Sequence, residues 1–494
     1  MESTLERFRG VIAARLGLQC DDTKLAVLPD VLQRRAEAGS QSVDHYLAGL
    51  EQWADIAEIG ALAAELTVPE TYFFRHFDQY RALTDGVLPE LLDAKAGVRR
   101  LHMASLGCAS GEEAYTLAML ARDAVDHRAW DVSIVGVDVN PVVLDRAHRG
   151  RYSEWALRET PEDARRRWFR NDGREFVVSA EARSTVRFEQ RNLVEDDPRL
   201  WPRDAYDVVF CRNVIMYFSP EQAQALIHRI WQALGPGGYL FLGHAETLRG
   251  LSADFHLRHT HGTFYYQKRE RSRDRPGPAV RANAASAARP ASPPSRMHHA
   301  DWVDAIHRAS ERLIALTQSK ASRPPAASCD AGAILELMRA DRVAEAMAGV
   351  DAMSSAAAND PDVRLLRAVL QTHTGLLSQA EAACRRVLEV DDLSAGAHYL
   401  LALCREGSGD RTGAVYHHQV AAYLDPGFAM PRLHLGLLAR RAGEHDAASR
   451  ELAQALVLLQ REDAARVLMF GGGFSRDALI ALCRSELRLS GGRP

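Results

Sequence analysis

The sequence predicts an α/β protein: a doubly wound, mostly parallel sheet preceded by an all-helical N-terminal domain, interrupted by a small β insertion, and followed by an α-helical repeat domain. Three observations carry that reading. From Leu101 onward, short β-rich runs (LHMASL, VSIVGVD, TVRFEQ, YDVVFC, GYLFLGH, GTFYYQK) alternate with helical stretches. The residues before them place apolar side chains at helical spacing with almost no strand-like alternation. Small residues recur every 34 positions in the C-terminal third.

Taken in order, residues 1–85 read as the helical domain, with Leu5, Phe8, Val11, Ile12 and Leu16, then Leu25, Leu28, Val31 and Leu32, then Ile56, Ile59, Leu62 and Leu66 each on one face. Residues 86–270 hold the sheet, with helices near 112–125 and 221–234 and the β insertion at about 168–190. Pro236-Gly237-Gly238 is expected to break the last long helix from its strand, and the final run to return as an antiparallel edge hairpin. Residues 271–330 read as a flexible Pro/Ala/Arg-rich linker, broken by a helical patch at Trp302, Ile306, Ala309, Leu313 and Leu316. In 331–494, Gly375, Gly409 and Gly443 lie 34 apart, as do Ala380, Ala414 and Ala448; Asp341 and Ala346 extend the register upstream. Thirty-four residues is the period of tetratricopeptide helix pairs, whose stacking forms a concave surface suited to a protein or peptide partner.

Composition excludes several classes. With 494 residues, 47% hydrophobic and 26% charged, the chain is neither disordered throughout nor a disulfide framework. It has no run of apolar residues long enough to span a membrane, no secretory start, and an odd seven cysteines, which points to the reducing cytoplasm. A formal charge of -4 gives no pull toward nucleic acid or anionic lipid.

The chemistry-bearing segment begins where LHMASL runs into Gly107-Cys108-Ala109-Ser110-Gly111-Glu112-Glu113. Small residues there let a ligand approach backbone at the end of the first strand, and the acids disfavour a pyrophosphate while suiting an amino-bearing ligand. The second β-rich run ends in Asp138, whose carboxylate can accept both hydroxyls of an adenosine ribose; the competing reading is that Asp138 and Asn140-Pro141 cap the next helix. Together they favour S-adenosylmethionine, with S-adenosylhomocysteine as product. No metal-spaced His/Cys cluster and no Ser/His/Asp or Cys/His grouping is visible, so no metal is expected.

The pieces TYFFR, ASGEEAYTLAM, GVDVNPVVLDRAHRGRY, the Asn192-Leu193 of QRNL, CRNVIMYF and PGGYLFLGHAETL follow one another across residues 1–270. This set resembles the CheR-type chemoreceptor protein-glutamate O-methyltransferases, and with a tetratricopeptide tail it is most similar to the biofilm and surface-sensing enzymes of the WspC kind. The resemblance implies a Rossmann-like methyltransferase sheet and an enzyme that esterifies glutamates on cytoplasmic helices of a methyl-accepting chemoreceptor, tuning chemotaxis or surface-sensing signalling. Such an enzyme meets the membrane only through its receptor. By the same resemblance Thr71, Arg75, Glu113, Asp138, Asn192, Leu193, Arg212 and Asn213 bind the cofactor, and Arg75 and Tyr217 serve catalysis. Pro69 stands where the family often has Asn.

The chemistry asks for no base, since a glutamate of pKa ~4.3 is already ionised at neutral pH. Arg212-Asn213-Val214-Ile215 replaces the Asn/Asp-Pro-Pro-aromatic tetrad of amine methylation. Basic residues of the lead-in (Arg7, Arg9, Arg15, Lys24, Arg34, Arg35) are candidates for steering toward an acidic receptor helix. The alternatives are a scaffold with an inactive methyltransferase domain, or a methyltransferase of a small molecule or RNA.

Overall fold

The computed structural model describes residues 2–19, 27–52, 56–67, 70–126, 129–269, 331–340, 342–353 and 360–489. Lys24, Leu25, Pro69, Asp341 and the whole stretch 271–330 with its Trp302 patch lie outside them. The chain divides into two compact units, Met1–Ser272 and Arg273–Pro494.

The first unit opens with helices Glu2–Leu16, Leu28–Ala38, Val43–Gln52 and Ile56–Leu66. Their apolar stripes meet in one core in which Phe8, Ile12, Leu28, Leu47 and Leu62 are fully buried. The arginines expected to steer are largely spent inside this bundle. Arg7 binds Glu51, Arg9 binds Glu6, Arg34 binds Glu65 and Arg35 binds Glu58, while Arg15 donates to the carbonyls of Leu50 and Glu51.

The sheet has seven strands: β1 Arg100–Leu106, β2 Asp131–Asp138, β6 Val186–Gln190, β7 Tyr206–Cys211, β8 Leu234–Leu242, β9 Phe255–Thr260 and β10 Thr263–Lys268. Their order is β6-β2-β1-β7-β8-β10-β9, with β10 antiparallel to its neighbours and the first five parallel. The parallel centre is covered on both faces, which is why its strands read as unbroken apolar runs; all six residues of β7 are buried. The chain winds outward from β1 in both directions, so the sheet reverses between β1 and β7, and the crevice at the carboxyl ends of these strands is the place where such sheets bind ligands. An aromatic column runs through the core. Tyr80 stacks on Phe210 at 5.8 Å, Phe210 on Phe241 at 4.5 Å and Phe241 on Tyr265 at 5.0 Å.

Two features differ from expectation. The insertion is a three-stranded sheet of β3 Arg151–Tyr152, β4 Phe169–Asp172 and β5 Glu175–Val178, and it ends before 190 because Val186–Gln190 pairs with β2 as the main sheet's edge. Pro236-Gly237-Gly238 falls inside β8, where the pairing with β7 shifts register and Gly237 has φ 69°, so the turn kinks the strand after it has begun.

In the second unit the helix pairs Pro361–His373 and Leu377–Val390, Ala395–Ser408 and Arg411–Leu424, and Ala429–Arg441 and His445–Leu459 follow the 34-residue period. Gly375, Gly409 and Gly443 have φ of 74°, 80° and 79° at the turns within pairs, a conformation that excludes most side chains. Ala380, Ala414 and Ala448 are fully buried where the helices close on one another.

Phe241→Ala would empty the middle of the aromatic column and is expected to cost about 3–5 kcal/mol, read as a lower urea midpoint for the first unit.

Candidate functional site

Two cavities meet at the carboxyl ends of β1, β2 and β7. One is mostly apolar, walled by Leu16, Leu18, Leu66, Val139, Leu193 and Phe218 around the carboxylate of Asp138. The other is charged and contains Thr71, Arg75, Glu113 and Arg212. Gly107, Ala109, Asn213 and Tyr217 line both.

The turn after β1 is shaped by backbone that only small residues tolerate. Gly107 has φ 72°, and a Cβ there would meet Val214 Cγ2 at 2.5 Å; at Gly111, φ 94°, it would meet Ala147 and Phe188 at 2.8 Å. Asp138 closes the turn from the other side: Ala109 N donates to its Oδ2 and Asn140 N to its Oδ1, both at 2.9 Å. Burial raises the Asp138 pKa, opposed by those backbone bonds. The helix Pro141–Arg149 is capped by Asn140, which accepts from Val142 N and Val143 N, so Asp138 is not its N-cap.

Of the two acids after the turn, Glu113 lines the charged cavity. It accepts from Ser105 Oγ at 2.7 Å and pairs with Arg212 Nε at 2.7 Å. Glu112 is buried elsewhere, takes a bond from Ser110 Oγ at 2.8 Å, and burial pushes its pKa up to about 7. The expected acidic pair is therefore a single acid already matched by a guanidinium.

Arg212 is buried at the end of β7. Burial pulls its charge toward neutrality, but the Tyr80 hydroxyl and the Glu113 carboxylate outweigh it and keep its pKa raised. Its Nη1 donates to Arg75 O and to Gln79 Oε1, each at 2.8 Å, and Gln79 Nε2 continues to Leu242 O at 2.7 Å. The segment carrying Arg75 is thus fastened to the sheet by backbone and not by its own side chain. Phe74 and His76, on either side of Arg75, both adopt left-handed backbone with φ 59° and 61°, a costly geometry that the surroundings impose. Phe73 and Phe74 are buried, with Phe73 edge-on to Tyr152 and Phe169 at 4.8 Å. The Arg75 side chain donates through Nη1 to Glu70 O at 2.9 Å. His76, held down to about 4 by burial and by neighbouring Arg212, is a neutral imidazole beside it at pH 7.

Asn213 has φ 57°, and the loop that follows hangs on one carboxylate. Glu246, 3% exposed, accepts from the backbone N–H of Asn213 at 2.7 Å, Val214 at 2.9 Å, Met216 at 3.2 Å and Gly243 at 2.7 Å. It stands inside PGGYLFLGHAETL, where no spacing marks it out. Tyr217 ends the one-turn 3-10 helix Ile215–Tyr217; its carbonyl accepts from Gln19 N at 2.7 Å, and Leu18 bridges Phe218. The amide of Asn192 donates to Arg15 O at 2.6 Å and accepts from Val194 N at 3.2 Å, so it joins the helical bundle to the sheet while Leu193 beside it reaches the apolar cavity.

Removing the Glu246 carboxylate orphans buried N–H groups at about 1–3 kcal/mol each, so Glu246→Ala should lower unfolding free energy by about 3 kcal/mol or more and Glu246→Gln by less. Denaturant titration checks both. Glu112 makes a pH-dependent prediction. Its folded pKa lies above its unfolded value, so the stability it allows is full below pH about 4.5 and is lost as pH rises through about 7. Glu112→Gln should therefore gain stability over the parent between pH 5 and pH 8, measured as the difference in thermal midpoints.

Residues 69–264 match the family model described as "CheR methyltransferase, SAM binding domain". "Chemotaxis protein methyltransferase 2" of Vibrio cholerae is 31% identical over 271 residues, 53% of this chain and 91% of that protein. "Probable biofilm formation methyltransferase WspC" of Pseudomonas aeruginosa is 28% identical over 458 residues, 90% of this chain and 96% of its own. An uncharacterized 104.1 kDa protein of Rhodobacter capsulatus is 34% identical over 251 residues, which are 50% of this chain and only 26% of that longer one.

Proposed function

The chain belongs to the CheR methyltransferase family and carries its S-adenosylmethionine-binding domain, and we propose that it esterifies glutamate side chains of a methyl-accepting chemoreceptor in chemotaxis or surface-sensing signalling. The observation that supports this most is the pair of joined cavities: an apolar one with one acid, and a charged one in which Arg75, Glu113 and Arg212 meet. A purine nucleoside suits the first, and a zwitterionic amino-acid end suits the second. The residues fit the cofactor on these grounds.

In this reading Asp138 accepts the ribose hydroxyls, Asn192 and Leu193 flank the adenine, and Thr71, Arg75, Glu113, Arg212 and Asn213 hold the amino-acid end. Both Asp138 oxygens keep a further lone pair beyond the backbone bonds they already accept. When bound, the cofactor supplies an electrophilic methyl on a sulfonium. The chain's own task is to present an ionised carboxylate in line with that carbon and to keep water out; alignment of this kind is worth ~7–11 kcal/mol in favourable cases.

Arg75 spends one nitrogen on Glu70 O and has the rest of its fork for an incoming carboxylate, while Tyr217, at the junction of the cavities, offers a hydroxyl that sets the attacking oxygen. An ion pair that held the nucleophile too firmly would stabilise the ground state, so Arg75 positions and does not clamp. No proton has to leave the substrate. Each ester removes one negative charge from the receptor's helices, which shifts their packing balance.

The lead-in arginines Arg7, Arg9, Arg34 and Arg35, already matched by their own acids, add little steering. Recruitment therefore falls to the C-terminal repeats, which we assign a protein or peptide partner.

Tritiated-methyl transfer to receptor-rich membranes should yield base-labile label released as methanol; base-stable label would overturn the glutamate assignment. Arg75→Ala is expected to lower kcat/KM by about 100-fold through misplacement of the carboxylate, and Asp138→Ala to weaken S-adenosylhomocysteine binding by about tenfold in calorimetry. Removal of residues 331–494 should weaken membrane association while leaving that calorimetric affinity in place.

A further inference from the structure

Three side chains from three helices of the C-terminal unit converge on one point. Glu406 is on helix Ala395–Ser408, His418 on Arg411–Leu424 and His434 on Ala429–Arg441. Their ligand atoms all lie within 4.8 Å of one another, and among the described residues no other three His, Cys, Asp or Glu side chains form such a group. Glu406 Oε1 lies 2.8 Å from His418 Nε2 and 2.8 Å from His434 Nδ1, so a single oxygen faces two ring nitrogens. The two imidazoles stack at 5.0 Å with an interplanar angle of 23°.

The tautomer of His434 decides what the Glu406 oxygen meets. Tyr399 is buried, and its one hydroxyl proton goes to Phe470 O at 2.9 Å. The same oxygen lies 3.3 Å from His434 Nε2, and in the tautomer that carries its hydrogen at Nε2 the imidazole donates to Tyr399. A neutral His434 then turns a bare lone pair at Nδ1 toward the carboxylate oxygen at 2.8 Å. Two lone pairs at that separation repel. A metal ion shared between them removes that repulsion, whereas the other tautomer would donate its Nδ1–H to the carboxylate. The metal alternative also uses His418 Nε2, which points at the same oxygen, and the Tyr399 contact becomes the outer hydrogen bond that orients a metal-binding imidazole.

We propose that Glu406, His418 and His434 bind a divalent transition-metal ion of the zinc class, which ties two successive helical repeats together. Two imidazoles and a carboxylate form a donor set that zinc accepts, with a fourth position left for water. The site has an entry path: the His418 side chain is fully buried, but those of Glu406 and His434 are 18% and 24% exposed. The ligands are 12 and 16 residues apart on separate helices, which is why no metal spacing is visible in the sequence.

The test is calorimetric titration of the purified, chelator-treated full chain with Zn²⁺. One saturable site per chain, a rise in the melting temperature of the repeat unit, and at least tenfold weaker binding in both Glu406→Gln and His434→Phe are expected. His417→Ala, outside the triad, should bind as the parent does. Co²⁺ substitution gives a second reading, because ligation by the two imidazoles produces visible absorption that the variants lose even if their stability changes. Absence of saturable binding, or binding that all variants retain, overturns the proposal.

Discussion

The segment that carries Arg75 has neither a helix nor a strand to fix it, and one buried guanidinium holds it together with the bond from Phe73 N to Ala156 O and two buried rings. Arg212 donates to Arg75 O and Gln79 Oε1 and pairs with Glu113, so three separate stretches of chain share one charge. In a low-dielectric interior such an ion pair adds little net stability, because desolvation offsets most of the attraction, but loss of either partner strands the other at about 3–5 kcal/mol. The pair is better understood as a register device. It sets where the helical lead-in meets the sheet, and the shared wall of the two cavities follows from that placement.

Glu246 has the same character on the opposite side. Four backbone N–H groups end on one carboxylate, so the loop from Asn213 to Met216 and the end of β8 are held as a unit without any regular hydrogen-bond ladder. Gly243 has to be glycine for this to work, since a Cβ would meet Glu246 Oε2 at 2.7 Å and Asn213 N at 3.0 Å. Two walls of the charged cavity therefore rest on buried charged side chains, Arg212 and Glu246, that bind protein backbone.

Much of this architecture was legible in the sequence because it is periodic. Alternating apolar runs and helices specify the parallel sheet, and the 34-residue spacing specifies the helix pairs with their left-handed glycines. Asp138 and the glycine turn could be found because a strand end and a turn are local. What escaped was long-range. Arg34 and Arg35 look like a basic face until Glu65 and Glu58, 31 and 23 residues on, are folded against them. Glu112 and Glu113 look alike side by side, yet successive helix positions point about 100° apart, so one reaches the cavity and the other is buried beside Ser110. Glu246, Gln79 and the Glu406 triad have no signal at all in one dimension, because each depends on partners that only the fold brings near.

The left-handed residues that bracket Arg75 have a consequence for how this chain can drift. Glycine at position 74 or 76 would relax the local geometry but would also widen the unfolded ensemble and, at 74, vacate a packed ring, so relief and loss oppose each other. Aim and robustness are thereby uncoupled: a lineage selected only for folded protein could wander at these two sites and arrive at a sound molecule whose guanidinium no longer lines the charged cavity.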